Sequence, residues 1–433
     1  MRRKDEHNIL SNLEVVGAMN RSKEKIKFGN PKGLFKIRKS SLKELFYVLL
    51  LIVQLKPAFF NQVETLDTIF NVARIISGLV ILFLYIGHGS KPKFPLVVLG
   101  LSFTIMIFST LLNGIDIKAP VISMASLFCM LLLVDFLLAK NPDTGINVLA
   151  KTFEILLIAN LVSIFLFPSG MYDTAVAMVD GVRKNFLLGH QNSIVYYFLS
   201  GLPFVYIRYQ LSKRLVNKVK LLLYCFISIF QTFYLWSATG LIVSVFALTV
   251  ILIYPYIQHN WLYKIVCAKT GVILFFLLSF SFVFWELSER LKWLISDILN
   301  RDVTLSNRTL IWSIVFEYVE KKPIMGYGMW NSEGFSDLIG IKEAIHAHNQ
   351  MLVYLFTGGM VLLLLFSILM IIFAIRVDAV KDSYSACLIA IFIALAVASI
   401  TEPPFTVVLS TNIIFILGFR LDDIRNYRSS FKN

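Results

Sequence analysis

The residues able to do chemistry in this sequence are few and sit in three short polar stretches. Arg183 precedes the run LGHQN at 188–192, which contains His190 and Asn192. Arg308 opens RTLIWSIVFEYVEKK, and His346, His348 and Asn349 stand directly before an apolar run carrying Gly358 and Gly359. Arginine offers a planar, permanently charged fork that grips phosphate or carboxylate in bidentate fashion. Histidine, with an unperturbed pKa of about 6.5, is suited to accepting or releasing a proton near neutrality. Such a set can hold an anionic group and move a proton. Gly326 and Gly328, in PIMGYG, allow backbone to approach a ligand closely. Tyr327 and Trp330 could stack on a ligand ring or anchor at a membrane interface.

Each residue also has a plain structural reading. Arg183, beside Lys184, could flank an apolar span. Arg308 at a helix N-terminus opposes the helix dipole, which weakens a purely structural role. His348 could anchor a helix end, and His346 is the more expendable of the two. His190 and Asn192 could shape a helix mouth, and Gly358 and Gly359 could serve close packing. Glu402, beside Pro403 and Pro404, either contacts the site or ends a helix. His346 and His348 are metal-ligand types, but no neighbouring cysteine or carboxylate cluster in the sequence completes a tetrahedral set. The expectation is chemistry without metal or cofactor.

The elements that position these residues follow from composition. Hydrophobic residues fill 57% of 433 positions, Phe alone occurring 37 times, against about 45–50% in soluble domains. That surface exceeds what one soluble core can hide. A bilayer can take it, provided backbone groups pair within helices or a closed barrel. The apolar runs are long and continuous rather than alternating, which excludes a barrel. The net charge of +14 lies in short connections and at the ends, not on a basic face, so nucleic-acid binding is excluded. Cys129, Cys225, Cys267 and Cys387 lie in or beside apolar runs without CxxC spacing, and read as small buried hydrophobes.

Runs of about 17–25 apolar residues predict twelve spans: 43–60, 69–87, 94–112, 119–139, 146–167, 193–210, 219–236, 239–257, 266–285, 349–375, 385–401 and 405–419. With the N-terminus inside, the cytoplasmic segments, counting Lys43, Arg208, Lys220 and Lys269 at the cytoplasmic ends of spans, hold 28 Lys and Arg, against 3 in the outward segments other than 286–345. The positive-inside rule then gives N-in and C-in topology. A basic cytosolic tail (1–42) precedes the helical region (43–419), and a cytosolic tail (420–433) follows it. There is no cleavable signal peptide in the N-terminal stretch. Two outward loops are long, 168–192 and, between spans 9 and 10, 286–345. Within the second, an apolar stripe over 286–299 predicts a helix on the membrane face. Another helix is expected after Ser306, ended by Pro323 and Gly326.

The order Arg, GHxN, R-x-x-x-W, P-x-x-GxG, HxHN and GG resembles the O-antigen polymerase and O-antigen ligase superfamily of membrane glycosyltransferases. It is carried by NRTLIWSIVFEYVEKKPIMGYG (307–328) and AHNQMLVYLFTGG (347–359), within about 180–375. One departure is Ser237–Ala238, where members often carry Ser-Arg. The resemblance implies an all-α polytopic, GT-C-like fold and transfer of an undecaprenyl-diphosphate-linked oligosaccharide to a sugar hydroxyl at the outer membrane face. It implies Arg183 and Arg308 on the diphosphate and His348 taking the acceptor proton, with Asn349 orienting ring or sugar. His190, Asn192, His346, Tyr327, Gly326 and Gly328 would line the substrate.

A polymerase of repeat units, for capsule, exopolysaccharide or O-antigen, is the favoured reading, with a chain-length regulator as a candidate partner. The Lys-, Ile-, Asn- and Phe-rich composition points to a low-GC genome and an envelope without lipopolysaccharide to ligate. A ligase shares the same donor site. A flippase would instead concentrate ionisable residues near the midplane, where only Arg74, Lys151, Glu154 and Gln231 are found.

Overall fold

A computed structural model describes residues 39–89, 91–172, 184–259, 261–285, 290, 308–342 and 344–429. Helices dominate. In order they are α1 (Lys39–Leu55), α2 (Glu64–His88), α3 (Phe94–Leu112), α4 (Lys118–Lys140), α5 (Pro142–Leu166), α6 (Ile194–Ser212), α7 (Leu215–Tyr234), α8 (Ala238–Ile257) and α9 (Ala268–Phe284). Then come α10 (Arg308–Lys321), α11 (Ser332–Ile339), α12 (Gln350–Asp378), α13 (Ser383–Ala398), α14 (Pro404–Val407) and α15 (Ile413–Ser429). Among the described residues, seven helices (α2, α3, α4, α5, α7, α8 and α12) are long and apolar enough to cross a membrane, and α9 and α13 are shorter apolar helices. The chain is an all-α polytopic membrane protein. The four cysteines are free thiols.

Small residues bring the helices together. A Cβ on Gly201 of α6 would meet Phe153 of α5 and the Tyr224 hydroxyl of α7, so glycine lets three helices share one contact. Several polar residues inside the bundle pair with one another, as the scarcity of water favours. Asn160 of α5 donates to Gln231 of α7 at 2.7 Å, and its Oδ1 accepts from Leu188 N at 2.9 Å. Arg208 forks onto Glu154, and Lys151 meets Glu44. The Arg420 guanidinium is bidentate on Asp135, at 2.6 and 2.7 Å, with Tyr85 donating to the same carboxylate at 3.0 Å. Removing one partner of such a buried pair costs about 3–5 kcal/mol, because the other is left charged and dry.

Three expectations need correction. The last span is not a continuous 405–419: α14 and a 3-10 turn (Leu409–Asn412) come first. Asn412 and Thr411 fold back, donating to the carbonyls of Phe405 and Pro404, which satisfies backbone that a helix would otherwise pair. Helix α15 then runs on through Arg420, which is buried on Asp135 rather than lying in a solvated tail. A second difference is a small hairpin, β1 (Asn185–Phe186) with β2 (Gly189–His190), registered Asn185 to His190. Its strands are too short for hydropathy to reveal.

The third concerns the glycines at 326 and 328. Helix α12 is broken at Gly359, whose φ of 66° and ψ of −162° are far from helical. The segment after α10 fills that break. Tyr327 N donates to Phe356 O at 2.6 Å, Gly328 N to Thr357 O at 3.0 Å, and Met360 N to Pro323 O at 2.7 Å. Side chains on Gly326 and Gly328 would strike Phe356 O and the Thr110 backbone of α3, respectively. The close approach these glycines permit is to the chain itself. Tyr327 stacks on Phe356, centroids 5.4 Å apart. All three lie near Phe356, about 10 Å along α12 from Asn349 at its start, and they lock α10 to α12. The surface helix expected over 286–299 and the helix-opening residues Ser306 and Asn307 lie outside the described residues, apart from Arg290.

Candidate functional site

Four chain segments that the sequence separates widely meet at one carboxylate. Glu402 follows α13 and is buried. Its Oε1 accepts from Arg308 Nη2 at 2.7 Å and from Asn192 Nδ2 at 3.3 Å. Its Oε2 lies 3.7 Å from His348 Nδ1. Asn192 is held in turn by Ser237, whose hydroxyl donates to Asn192 Oδ1 at 2.9 Å while its oxygen caps α8 by accepting from Gly240 N. The Asn192 N–H donates to His190 Nδ1 at 3.3 Å.

The histidines are fixed by the start of α12. His348 has a φ of +49°, a left-handed conformation uncommon for a residue other than glycine. Its N–H donates to His346 Nδ1 at 3.1 Å, and the two rings lie 4.1 Å apart. Both side-chain polar atoms of Asn349 are engaged by the chain itself. It is fully buried, its Oδ1 caps α12 by accepting from Leu352 N, and its Nδ2 donates to Ile400 O at 3.2 Å. Gln350 completes the clamp, its N–H donating to Ser399 O and its Oε1 accepting from Phe405 N. The cap that holds His348 therefore also holds the connection bearing Glu402.

Arg308 is the first residue of α10, and Trp312, one turn on, shares its face and is buried. Among the described residues, Arg308 engages Glu402 through Nη2. Beside it Tyr196 of α6, 1% exposed, carries a hydroxyl without a partner among the described residues. Tyr196 lies within electrostatic reach of both Glu402 and Arg308. Arg183 lies outside the described residues.

Burial works to raise the proton affinity of Glu402, but Arg308 and His348 outweigh it and hold the carboxyl well below the ordinary carboxylate range. Glu402 is an anion at neutral pH. His346 is pushed the other way from a typical imidazole. Burial first, then His348, lowers its pKa well below 6.5, with Glu402 opposing. A base whose folded pKa is depressed contributes stability in full above its unfolded value, about 6.5, and loses it progressively as pH falls toward the folded one. His346→Gln is therefore expected to flatten the loss of thermal stability between pH 7 and 5. Unfolding curves of the two proteins at matched pH check this.

The sequence lacked a carboxylate to complete a metal set near His346 and His348. The fold supplies one: ligand atoms of His346, His348 and Glu402 lie within 4.8 Å of one another. Glu402 Oε1 is, however, already bound to the Arg308 cation, which repels a divalent ion there.

The chain is a polytopic α-helical membrane protein that holds a charged Arg308–Glu402–His348 constellation. Residues 223–367, about a third of the chain, match the family model described as O-antigen ligase, which supports the resemblance to the O-antigen ligase and polymerase superfamily. Ser237, Arg308, His346, His348 and Asn349 fall inside the match, whereas His190, Asn192 and Glu402 fall outside it. No curated protein matches the chain.

Proposed function

We propose that this protein is a glycosyltransferase that polymerises undecaprenyl-diphosphate-linked repeat units into a surface polysaccharide at the outer face of the cytoplasmic membrane. The observation that carries this is one buried carboxylate gripping an arginine through one oxygen and facing a histidine through the other. The Arg308 fork, joined by Arg183, binds the donor's diphosphate. His348 takes the proton of the acceptor hydroxyl as its oxygen attacks the anomeric carbon. The bond from that carbon to the diphosphate oxygen breaks, and the leaving group departs with the electron pair onto the arginines. Glu402 stabilises the imidazolium that forms, its 3.7 Å separation from His348 tightening when substrate binds. Because Glu402 is committed to Arg308 and Asn192, it is a poor nucleophile. Direct displacement follows, with inversion at the anomeric carbon.

The reading takes N-in and C-in topology, which puts α10 and the starts of α6 and α12 on the outer side. It needs no metal, since the Arg308 charge occupies the position a cation would take, and a chain-length regulator is a natural partner. The experiment that separates the alternatives is the glycan profile of a gene deletion. Single repeat units left on outward-facing lipid are expected. Full-length unattached polymer would instead identify a ligase, and inward-facing lipid-linked units a flippase.

A further inference from the structure

Helix α7 passes into α8 through three residues, Leu235, Trp236 and Ser237, and the backbone there is strained. Trp236 has a φ of +55°, the left-handed conformation, which a bulky side chain adopts only where its surroundings fix it. Ser237 N donates to Thr232 O at 2.9 Å, and the serine is 1% exposed although Trp236 beside it is 71% exposed. A Cβ on Gly240 would come within 2.7 Å of Ser237 Oγ, so glycine at 240 leaves the hydroxyl its space. The turn thus sets Ser237 against Asn192 at the mouth of α6, 45 residues away in sequence.

The hydrogen bonds that follow have one possible direction. Gly240 N–H can only donate, and Ser237 Oγ accepts from it at 3.3 Å. The ionised Glu402 carboxylate can only accept. Between these two ends Asn192 Nδ2 must donate to Glu402 Oε1, at 3.3 Å, and the Ser237 hydroxyl to Asn192 Oδ1, at 2.9 Å. Oε1 also accepts from Arg308 Nη2 at 2.7 Å. The lone pairs of such an oxygen lie near the plane of its carboxylate, so two donors on Oε1 fix that plane where one would leave it free to turn. Oε2 is the oxygen left facing His348 Nδ1, at 3.7 Å.

We propose that Ser237 is a positioning residue for the transfer reaction: through Asn192 it holds the plane of the Glu402 carboxylate so that Oε2 meets the imidazolium as His348 takes the acceptor proton. This rests on the glycosyltransferase reading and adds to it a residue that acts only through others. No proton moves along the relay. Its contribution is made where charge develops on His348, in the transition state rather than in substrate binding.

Ser237 also caps α8, and the test separates the two roles. Glycine at an N-cap costs a helix far less than alanine does, so S237G largely spares α8 while removing the donor to Asn192. Lipid-linked repeat units purified from the gene-deletion strain serve as substrate for the full-length protein in liposomes. S237G is expected to lower kcat about tenfold to a hundredfold, with KM for the lipid-linked unit and Tm unchanged. N192A should do the same, and the S237G/N192A double variant should be no slower than N192A, because both act on one link. Transfer at the wild-type rate by S237G would make the serine a helix cap only. A fall in Tm that accounts for the lost rate, or single effects that multiply in the double variant, would also overturn the assignment. His348→Asn in the same assay tests the underlying reading: normal transfer by that variant rejects the chemistry of the site. Normal transfer by S237G beside an inactive His348→Asn rejects the part of Ser237 alone.

Discussion

Arg308→Ala is expected to abolish polymer and leave single repeat units on lipid, with the protein still inserted in the membrane. Two effects combine. The diphosphate loses a fork donor that acts as charge develops on the leaving group, and removing one such group typically costs about 10²–10³ in rate. Glu402 also loses its ionic partner at 2.7 Å, which leaves a buried carboxylate at a cost of several kcal/mol. The double variant Arg308→Gln with Glu402→Gln separates the two, because it removes both charges and leaves an amide pair able to hydrogen-bond. Its Tm should return toward wild type while polymerisation stays lost. Arg308→Lys keeps the ion pair but offers a point charge instead of a fork, and should also be poor. Repeat-unit transfer by membranes carrying each variant, normalised to the amount of inserted protein, measures the series. Normal long polysaccharide from Arg308→Ala would remove Arg308 from the reaction.

The second large effect is expected at His348. Losing a positioned general base costs about 10²–10⁴ in rate. Alanine at this position confounds chemistry with backbone strain, because His348 holds a φ of +49°. Asparagine tolerates that conformation better and has no group that titrates near neutrality. His348→Asn should therefore retain the fold, hold donor lipid with wild-type affinity and make no polymer. Comparing donor binding with transfer rate in the same preparation checks it. Unimpaired transfer would move the proton-accepting role elsewhere in the site, with His346 the nearest imidazole.

Nearly all of the bundle was legible without coordinates. Eleven of the twelve predicted spans coincide with a helix, because a continuous apolar run has few other ways to pair its backbone in a membrane. Where the pattern failed, at 405–412, Thr411 and Asn412 replace helical hydrogen bonds with side-chain ones, a substitution that hydropathy does not register. Two of the chemically suited residues, Arg308 and His348, were also legible, since few side chains bind phosphate or transfer protons and apolar sequence makes them conspicuous.

What they touch was not. Glu402 is a lone acid beside two prolines, with no motif of its own, and it lies 94 residues beyond Arg308 and 210 beyond Asn192. Only the packing of α6, α10, α12 and α13 brings these segments together. Asn349 and Gly326 show the converse. Their types suited a ligand, yet the fold spends them on capping α12 and on filling its break at Gly359. Residue type and local spacing fix which groups are available and which stretches enter the bilayer. Which donor meets which acceptor depends on contacts distant in sequence, and the Arg308–Glu402–His348 arrangement belongs to that second kind.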